Sequence, residues 1–259
     1  MEYPTANVHR VLIPFFRLHD LAADFLTRHL MGVKRALHLI AHLTLFGFLF
    51  PDLRIEFGKY AFYVLLYILF LSPLSKIFRA RLLLLLMSIR REFGILFGYL
   101  VSVHVLGFLL DPLWFDFTIR PFLSGNFFGI DPRYIFGIFA YVCTLPLLLT
   151  SNRIANTVLG KNWKRLHRLA YFVLAFSVFH KYLFPGEGFG GANSFRIVEA
   201  LILLGLYGFL KLLARQNFLP PLRKLNDWVA SEYRVFKSMS PVSAQTADPP
   251  PPGPGSASF

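Results

Sequence analysis

The chain has 259 residues, of which 55% are hydrophobic, with a mean hydropathy of +0.53 and a formal net charge of +13. This composition excludes an ordinary soluble domain and predicts an integral membrane protein. A basic excess can indicate nucleic-acid binding, but here the charges cluster between apolar stretches. We therefore expect a lipid bilayer as partner and no nucleic acid.

The predicted elements begin with residues 1–34, which mix apolar and basic positions and should form an amphipathic segment on the inner leaflet. Residues 35–215 form the predicted transmembrane domain. The best count there is six apolar stretches, although five or seven spans stay open. The six stretches are roughly Ala36–Phe50, Tyr60–Leu74, Phe93–Leu110, Tyr134–Thr150, Leu169–Phe184 and Ile197–Leu213.

The distribution of lysine and arginine predicts the orientation of these spans. Of the 27 such residues, 21 fall in the N-terminal arm, the second and fourth connections and the C-terminal segment, and 6 fall in the opposite loops. Cytoplasmic loops carry this excess, so both termini are expected in the cytoplasm.

The last part of the chain is predicted to lie outside the membrane. Residues 216–237 form a basic cytoplasmic segment, and residues 238–259 form a Pro- and Gly-rich tail expected to be disordered. Too few residues follow the sixth span for flavin- and nicotinamide-binding domains. If the spans conduct electrons, the donor must therefore be another molecule.

Three histidines in apolar surroundings are the candidate metal ligands: His104, His167 and His180. Imidazole inside a bilayer is costly and usually functional, and neutral histidine is a common axial ligand of haem iron. Counted from Arg91 and Arg168 at the inner interface, His104 and His180 lie about 19 Å and 18 Å into the membrane. Because these depths are nearly equal, one haem between the third and fifth spans could use both rings.

His167 lies near the inner boundary and is a candidate ligand for a second, inner haem. On a regular helix it would point about 140° away from His180, so either the helix is distorted or two haems approach from different sides. The position fourteen before His104 is Arg90 rather than histidine. The sixth ligand of an inner haem could be His38 or His42 of the first span, Arg90, or water.

Basic residues at the inner boundary have two readings. Arg90 and Arg91 could pair with haem propionates or a flavin phosphate, or they could only fix topology. The single cysteine, Cys143, excludes an internal disulfide and a cysteine-ligated iron–sulfur cluster. Gly94 and Gly98 form a GxxxG pattern typical of close helix packing, and a flat macrocycle lying against the helix would need the same missing side chains.

Residues from about Leu37 to Lys211 resemble the ferric-reductase-like transmembrane family, and within it the haem-binding MsrQ (YedZ) branch. The resemblance rests on an ordered set of motifs: Arg90-Arg91-Glu92-Phe93-Gly94, His104 fourteen residues after Arg90, Arg120-Pro121, Leu145–Ser151, Leu159–Tyr171 and His180.

This resemblance implies an all-α membrane protein, a six-helix bundle of the cytochrome b type in a bacterial inner membrane. It implies haem b, one or two per chain, with ligands at His104, His180 and His167, and an associated flavin mononucleotide. The donor would be a cytoplasmic flavin reductase or quinol. The acceptor would be a periplasmic methionine sulfoxide reductase, which does the bond chemistry with this chain as its electron-transfer subunit. The longer outer loop Asp111–Arg133 is where an acceptor would dock.

Two rival functions stay open at this point. One is a ferric or superoxide-type reductase core that reduces a small outer acceptor directly. The other is a haem-free membrane scaffold or transporter with buried histidines. The sequence does not favour the second function, because it predicts neither the broken helices nor the mid-span acidic residues typical of ion-coupled sites, apart from Glu199 near the outer start of the sixth span.

Overall fold

The computed structural model describes residues 5–78, 80–126, 129–130, 132–183, 194–215 and 220–239, and every regular segment among them is helical. The first half contains α1 (Thr5–Leu43), a 3₁₀ segment (Thr44–Leu49), α2 (Leu53–Phe78), α3 (Arg81–Ser88), α4 (Arg90–Leu109), α5 (Pro112–Trp114), a π turn (Phe115–Ile119) and α6 (Arg120–Leu123). The second half contains α7 (Pro132–Leu149), α8 (Arg153–Leu159), α9 (Lys161–Leu166), α10 (Leu169–Val178), a second π turn (Phe179–Leu183), α11 (Ser194–Arg215) and α12 (Pro220–Met239).

Two of these helices, α2 and α4, are long and apolar enough to cross a membrane. A third span is possible if α7 and α8 count as one bent element, since Tyr134–Leu149 and Arg153–Leu159 meet at 93°. The all-helical prediction is confirmed for the described residues, whereas six spans with cytoplasmic termini stay a prediction.

The chain divides into two compact units. The smaller unit comprises Met1–Ala22 and Leu219–Phe259. Within it, Phe16 is buried and packs edge-on against Tyr233, whose hydroxyl donates a hydrogen bond to the Asp20 carboxylate. This unit is therefore held by contacts between the start of α1 and α12. The first two residues of the predicted tail 238–259 lie in α12, and the rest of the tail lies outside the described residues.

The larger unit, Ala23–Phe218, contains the apolar core. Helix α2 packs against α4, and α7 packs against both α4 and α10. The side chains of Leu69, Val103 and Leu174 are almost completely buried where these helices meet. Helices α2 and α7 therefore flank the space between α4 and the end of α10, where His104 and His180 lie.

The segment that carries His167 and His180 is not one regular helix. His167 caps α9 in a turn before α10 begins, and His180 lies in the π turn that follows α10. A π turn widens the helix and is frequent at functional sites. Of the two alternatives left open by the sequence, the structure therefore contains the local distortion.

Of the two glycines in the GxxxG pattern of α4, only Gly98 lies against a neighbouring helix. A methyl group added at Gly98 would lie 2.6 Å from the Leu148 side chain of α7, whereas one added at Gly94 would meet nothing within 4 Å. Close approach of α4 and α7 thus depends on Gly98.

Candidate functional site

The structure brings together His104 of α4 and His180 of the second π turn. Their ring centroids are 6.3 Å apart, with ring planes at 68°. Two imidazoles that bind opposite sides of one metal ion, each through a nitrogen about 2 Å from it, have ring centres roughly 6 to 7 Å apart. The observed spacing therefore suits a pair of axial ligands.

The ring of His104 is fixed by a hydrogen bond to the main chain. Its Nδ1 lies 2.8 Å from the carbonyl oxygen of Arg54. Because a carbonyl oxygen only accepts, Nδ1 must carry the proton, which leaves Nε2 of the neutral ring as an electron-pair donor. Metal-binding histidines commonly donate their other ring N–H to a carbonyl in this way.

Two glycines lie directly against the two imidazoles. A methyl group added at Gly58 of α2 would lie 2.7 Å from both Cε1 and Nδ1 of His104. One added at Gly137 of α7 would lie 3.0 Å from Nδ1 of His180. The flanking helices thus approach the rings at positions that have no side chain.

A cavity of about 240 Å³ opens beside the two rings. Both histidines line it, together with apolar and aromatic side chains that include Phe62, Phe97 and Phe108. Such a lining suits a flat apolar macrocycle, and imidazole nitrogens in apolar surroundings suit metal binding. Among the described residues no cluster of three or more His, Cys, Asp or Glu side chains could hold a bare metal ion.

An ion pair connects α2 to the segment after α4. Nη1 of Arg54 donates to Oδ2 of Asp111 at 2.9 Å, and both side chains are partly buried. The guanidinium holds the pKa of Asp111 below its usual range. Since the carbonyl of Arg54 also accepts from His104, this one residue connects the imidazole to the loop after α4.

His167 lies in a different environment near the other end of α10. Its ring stacks on Trp163 with centroids 3.9 Å apart, and its Nε2 lies 3.3 Å from Oγ1 of Thr150. That hydroxyl donates its own proton to the carbonyl of Pro146, so it accepts from Nε2. Partial burial, and then the nearby positive charge of Arg90, lower the pKa of His167.

The predicted basic residues have separate surroundings. Arg90 is half-buried and interacts electrostatically with His167, Tyr171 and Tyr207. Arg91 donates to Glu92 at 3.0 Å. The side chain of Glu92 is only 1% exposed, and its second oxygen has no hydrogen-bond partner within the described part of the chain. Arg90 is thus an arginine whose charge acts on His167.

His38 and His42 lie on α1, one turn apart. The ring of His42 contacts the carbonyl of His38 through Nδ1 at 2.7 Å and packs against Tyr99 of α4. His38 is half-buried, next to the buried Leu37. The structure therefore gives His42 a hydrogen bond within its own helix.

Sequence reasoning missed the residues that hold the two rings in place. The sequence indicates only that Arg54 is one of the six basic residues in the opposite loops, and it suggests no role for Gly58 or Gly137. The signal for the glycines is their position, because each is a small residue within a predicted span or at its boundary. No sequence pattern reveals that the carbonyl of Arg54 meets His104.

Comparison with known proteins supports the family resemblance. Residues 57–178 match the family model described as "Ferric reductase like transmembrane component". Two curated proteins, each named "Protein-methionine-sulfoxide reductase heme-binding subunit MsrQ", are similar to the chain. The protein from Agrobacterium fabrum (strain C58) is 28% identical over 144 residues, which cover 53% of this chain and 60% of that relative. The protein from Rhizobium meliloti (strain 1021) is 30% identical over 130 residues, which cover 48% of this chain and 53% of that relative.

The matched stretches span less than two thirds of the length of either relative. No solved structure matches the chain. The matched family region nevertheless includes α4 with His104, the glycine against its ring, and the whole of α10. We conclude that residues 57–178 are similar to the ferric-reductase-like transmembrane component, and that MsrQ haem-binding subunits are among the relatives of the chain.

Proposed function

We propose that this protein is a haem b membrane subunit that carries single electrons from the cytoplasm to an acceptor outside the membrane. His104 and His180 would hold the haem iron from its two sides. The observation that carries the proposal is the 6.3 Å separation of their ring centroids beside one cavity. The bound haem would supply a one-electron iron(III)/iron(II) couple.

The surrounding residues fit such a group. The Arg54 carbonyl fixes the tautomer of His104 that leaves Nε2 available for iron. Gly58 and Gly137 leave space for the imidazoles, and the apolar lining of the cavity would keep water from the iron. Burial and two neutral imidazole ligands are among the features by which a protein sets the potential of a haem.

The membrane arrangement is part of the proposal. Helices α2 and α4 qualify as spans, and the bent pair α7–α8 is a third candidate. We propose that segments in α1, in α10 with its π turn, and in α11 complete a six-span bundle with both termini in the cytoplasm. The bias of 21 basic residues against 6 supports that orientation.

The partners are proposed from the relatives, whose printed name assigns them to a methionine sulfoxide reductase. A cytoplasmic flavin reductase or quinol would supply the electrons, with flavin mononucleotide as an associated cofactor. A periplasmic methionine sulfoxide reductase would accept them, and the bacterial inner membrane is the proposed location. Each haem would pass on one electron at a time, so reducing one sulfoxide would take two transfers and two protons at the partner.

An inner haem at His167 stays a prediction. Its Nε2 is hydrogen-bonded to Thr150 and its ring is stacked on Trp163. Iron binding through Nε2 would have to replace the contact to Thr150. A count of haem per chain tests this prediction, because His167→Ala should lower the count from two to one if an inner haem exists and leave it at one otherwise.

The decisive experiment for the outer site is spectroscopic. Full-length protein purified after expression with ample haem should be red and give the α-band of b-type haem on reduction with dithionite. His104→Ala and His180→Ala should each abolish the signal of the outer haem. His29→Ala, at an exposed histidine of α1, is the matched control and should keep it. A colourless wild-type preparation that is monodisperse and helical would refute the proposal.

A further inference from the structure

The charged residues that line the cavity beside His104 and His180 share one sign. Of the described side chains around it, two are charged, and both are lysines: Lys59 and Lys181. No described carboxylate lines the cavity. A ligand that fills this space would therefore meet apolar walls and two ammonium groups.

Each lysine is one residue away from a site contact. Lys59 follows Gly58, the position that lies against the His104 ring, and Lys181 follows His180 itself. The Lys59 side chain is 37% exposed, so it lies where the cavity approaches the protein surface. Both lysines thus line the same cavity as the two imidazoles.

Contacts with neighbouring residues hold both lysines in place. Nζ of Lys59 donates to Glu56 on the same helix at 2.6 Å. Nζ of Lys181 lies over the ring of Phe62, 4.3 Å from its centroid, and 5.0 Å from that of Tyr182. An ammonium has three N–H donors and can share them among several partners.

We propose that Lys59 and Lys181 bind the two propionate carboxylates of the haem held by His104 and His180. This inference rests on the proposed function and names the residues that receive the anionic edge of the macrocycle. A carboxylate in an apolar cavity requires a charged or hydrogen-bonding partner, and charge-assisted bonds to ammonium groups meet that need. The two lysines equal the two carboxylates in number and carry the opposite charge.

The test compares haem with its dimethyl ester, in which both propionates are neutral. Full-length protein expressed without added haem is titrated with each compound, and affinity is read from the Soret band. The wild type should prefer haem over the ester by roughly tenfold or more. The Lys59→Met/Lys181→Met double variant should bind the two compounds with similar affinity, because it no longer recognises the charge.

Two further variants keep the test decisive. Lys59→Arg/Lys181→Arg should retain the preference for haem, which shows that positive charge is what matters even if the methionine variant folds poorly. Lys161→Met, at an exposed position in α9, should behave as wild type. The lysine assignment is overturned if the methionine variant binds haem through two imidazoles and keeps the wild-type preference. The proposed function itself fails if the wild type shows no bis-imidazole haem spectrum.

Discussion

Gly58→Ala is the sharpest test of the site, because the added methyl group would lie 2.7 Å from Cε1 and Nδ1 of His104. Ordinary contact begins near 3.4 Å, so the ring would have to move by about 0.7 Å. That movement acts on a hydrogen bond of 2.8 Å to the carbonyl of Arg54, which is lost once the distance exceeds the usual limit. The substitution therefore disturbs the orientation of His104 without removing any ligand.

The expected size of the effect follows from overpacking, which costs about 1–3 kcal/mol in a packed interior. If that cost falls on the ligand-bound state, the dissociation constant of haem should rise roughly 5- to 150-fold. Gly137→Ala should have a smaller effect, because its methyl group would lie 3.0 Å from Nδ1 of His180. Gly94→Ala, with nothing within 4 Å, is the control and should be neutral.

The assay is a haem titration of the three purified variants, followed in the Soret region and combined with thermal unfolding in detergent. The affinity loss should rank Gly58→Ala above Gly137→Ala and leave Gly94→Ala unchanged. Equal affinities for all three proteins would refute the reasoning, because the glycines would then have no part in positioning the rings.

Two other predictions concern stability. Asp111→Asn keeps a side-chain oxygen that can cap α5 but loses the ion pair with Arg54. A carboxyl pKa lowered from 3.8 stabilises the fold above that pH, and this contribution is lost as pH falls through the lowered pKa. Wild type should thus lose thermal stability on acidification below about pH 4 more steeply than Asp111→Asn, and parallel profiles would contradict the ion pair. Thr150→Val removes the acceptor of His167 Nε2 and should lower the free energy of unfolding by about 1 kcal/mol. Thr157→Val, at an exposed position, should change it by less than about 0.5 kcal/mol, and similar losses in both variants would argue against the His167 contact.

The sequence predicted the features that depend on apolar runs and on the number of residues from the membrane boundary. Counting residues from Arg91 and Arg168 placed His104 and His180 at nearly equal depth, and the structure brings their rings together. Their role as haem ligands stays a prediction. The predicted span Phe93–Leu110 agrees with α4, Arg90–Leu109, to within three residues at each end. A long uninterrupted apolar run defines the ends of a helix well.

What sequence reasoning could not supply depends on contacts between distant segments. The carbonyl of Arg54 accepts from a residue fifty positions away, and only the approach of α2 to α4 makes this possible. The surroundings of His167 were equally out of reach, because the ring, Trp163 and Thr150 come together across a sharp bend. The boundary predicted at residue 34 falls within the continuous helix α1, which extends from Thr5 to Leu43.

His180 lies in the π turn Phe179–Leu183, so the direction of its imidazole does not follow the regular rotation of α10. In an α-helix each residue is rotated by about 100° from the last, so removing one residue before His180 would swivel its imidazole by about that angle. Helix α10 ends at Val178, before this turn, and packs against α7. A single-residue deletion or insertion just before His180 would thus re-aim its ring, while α10 keeps its packing against α7.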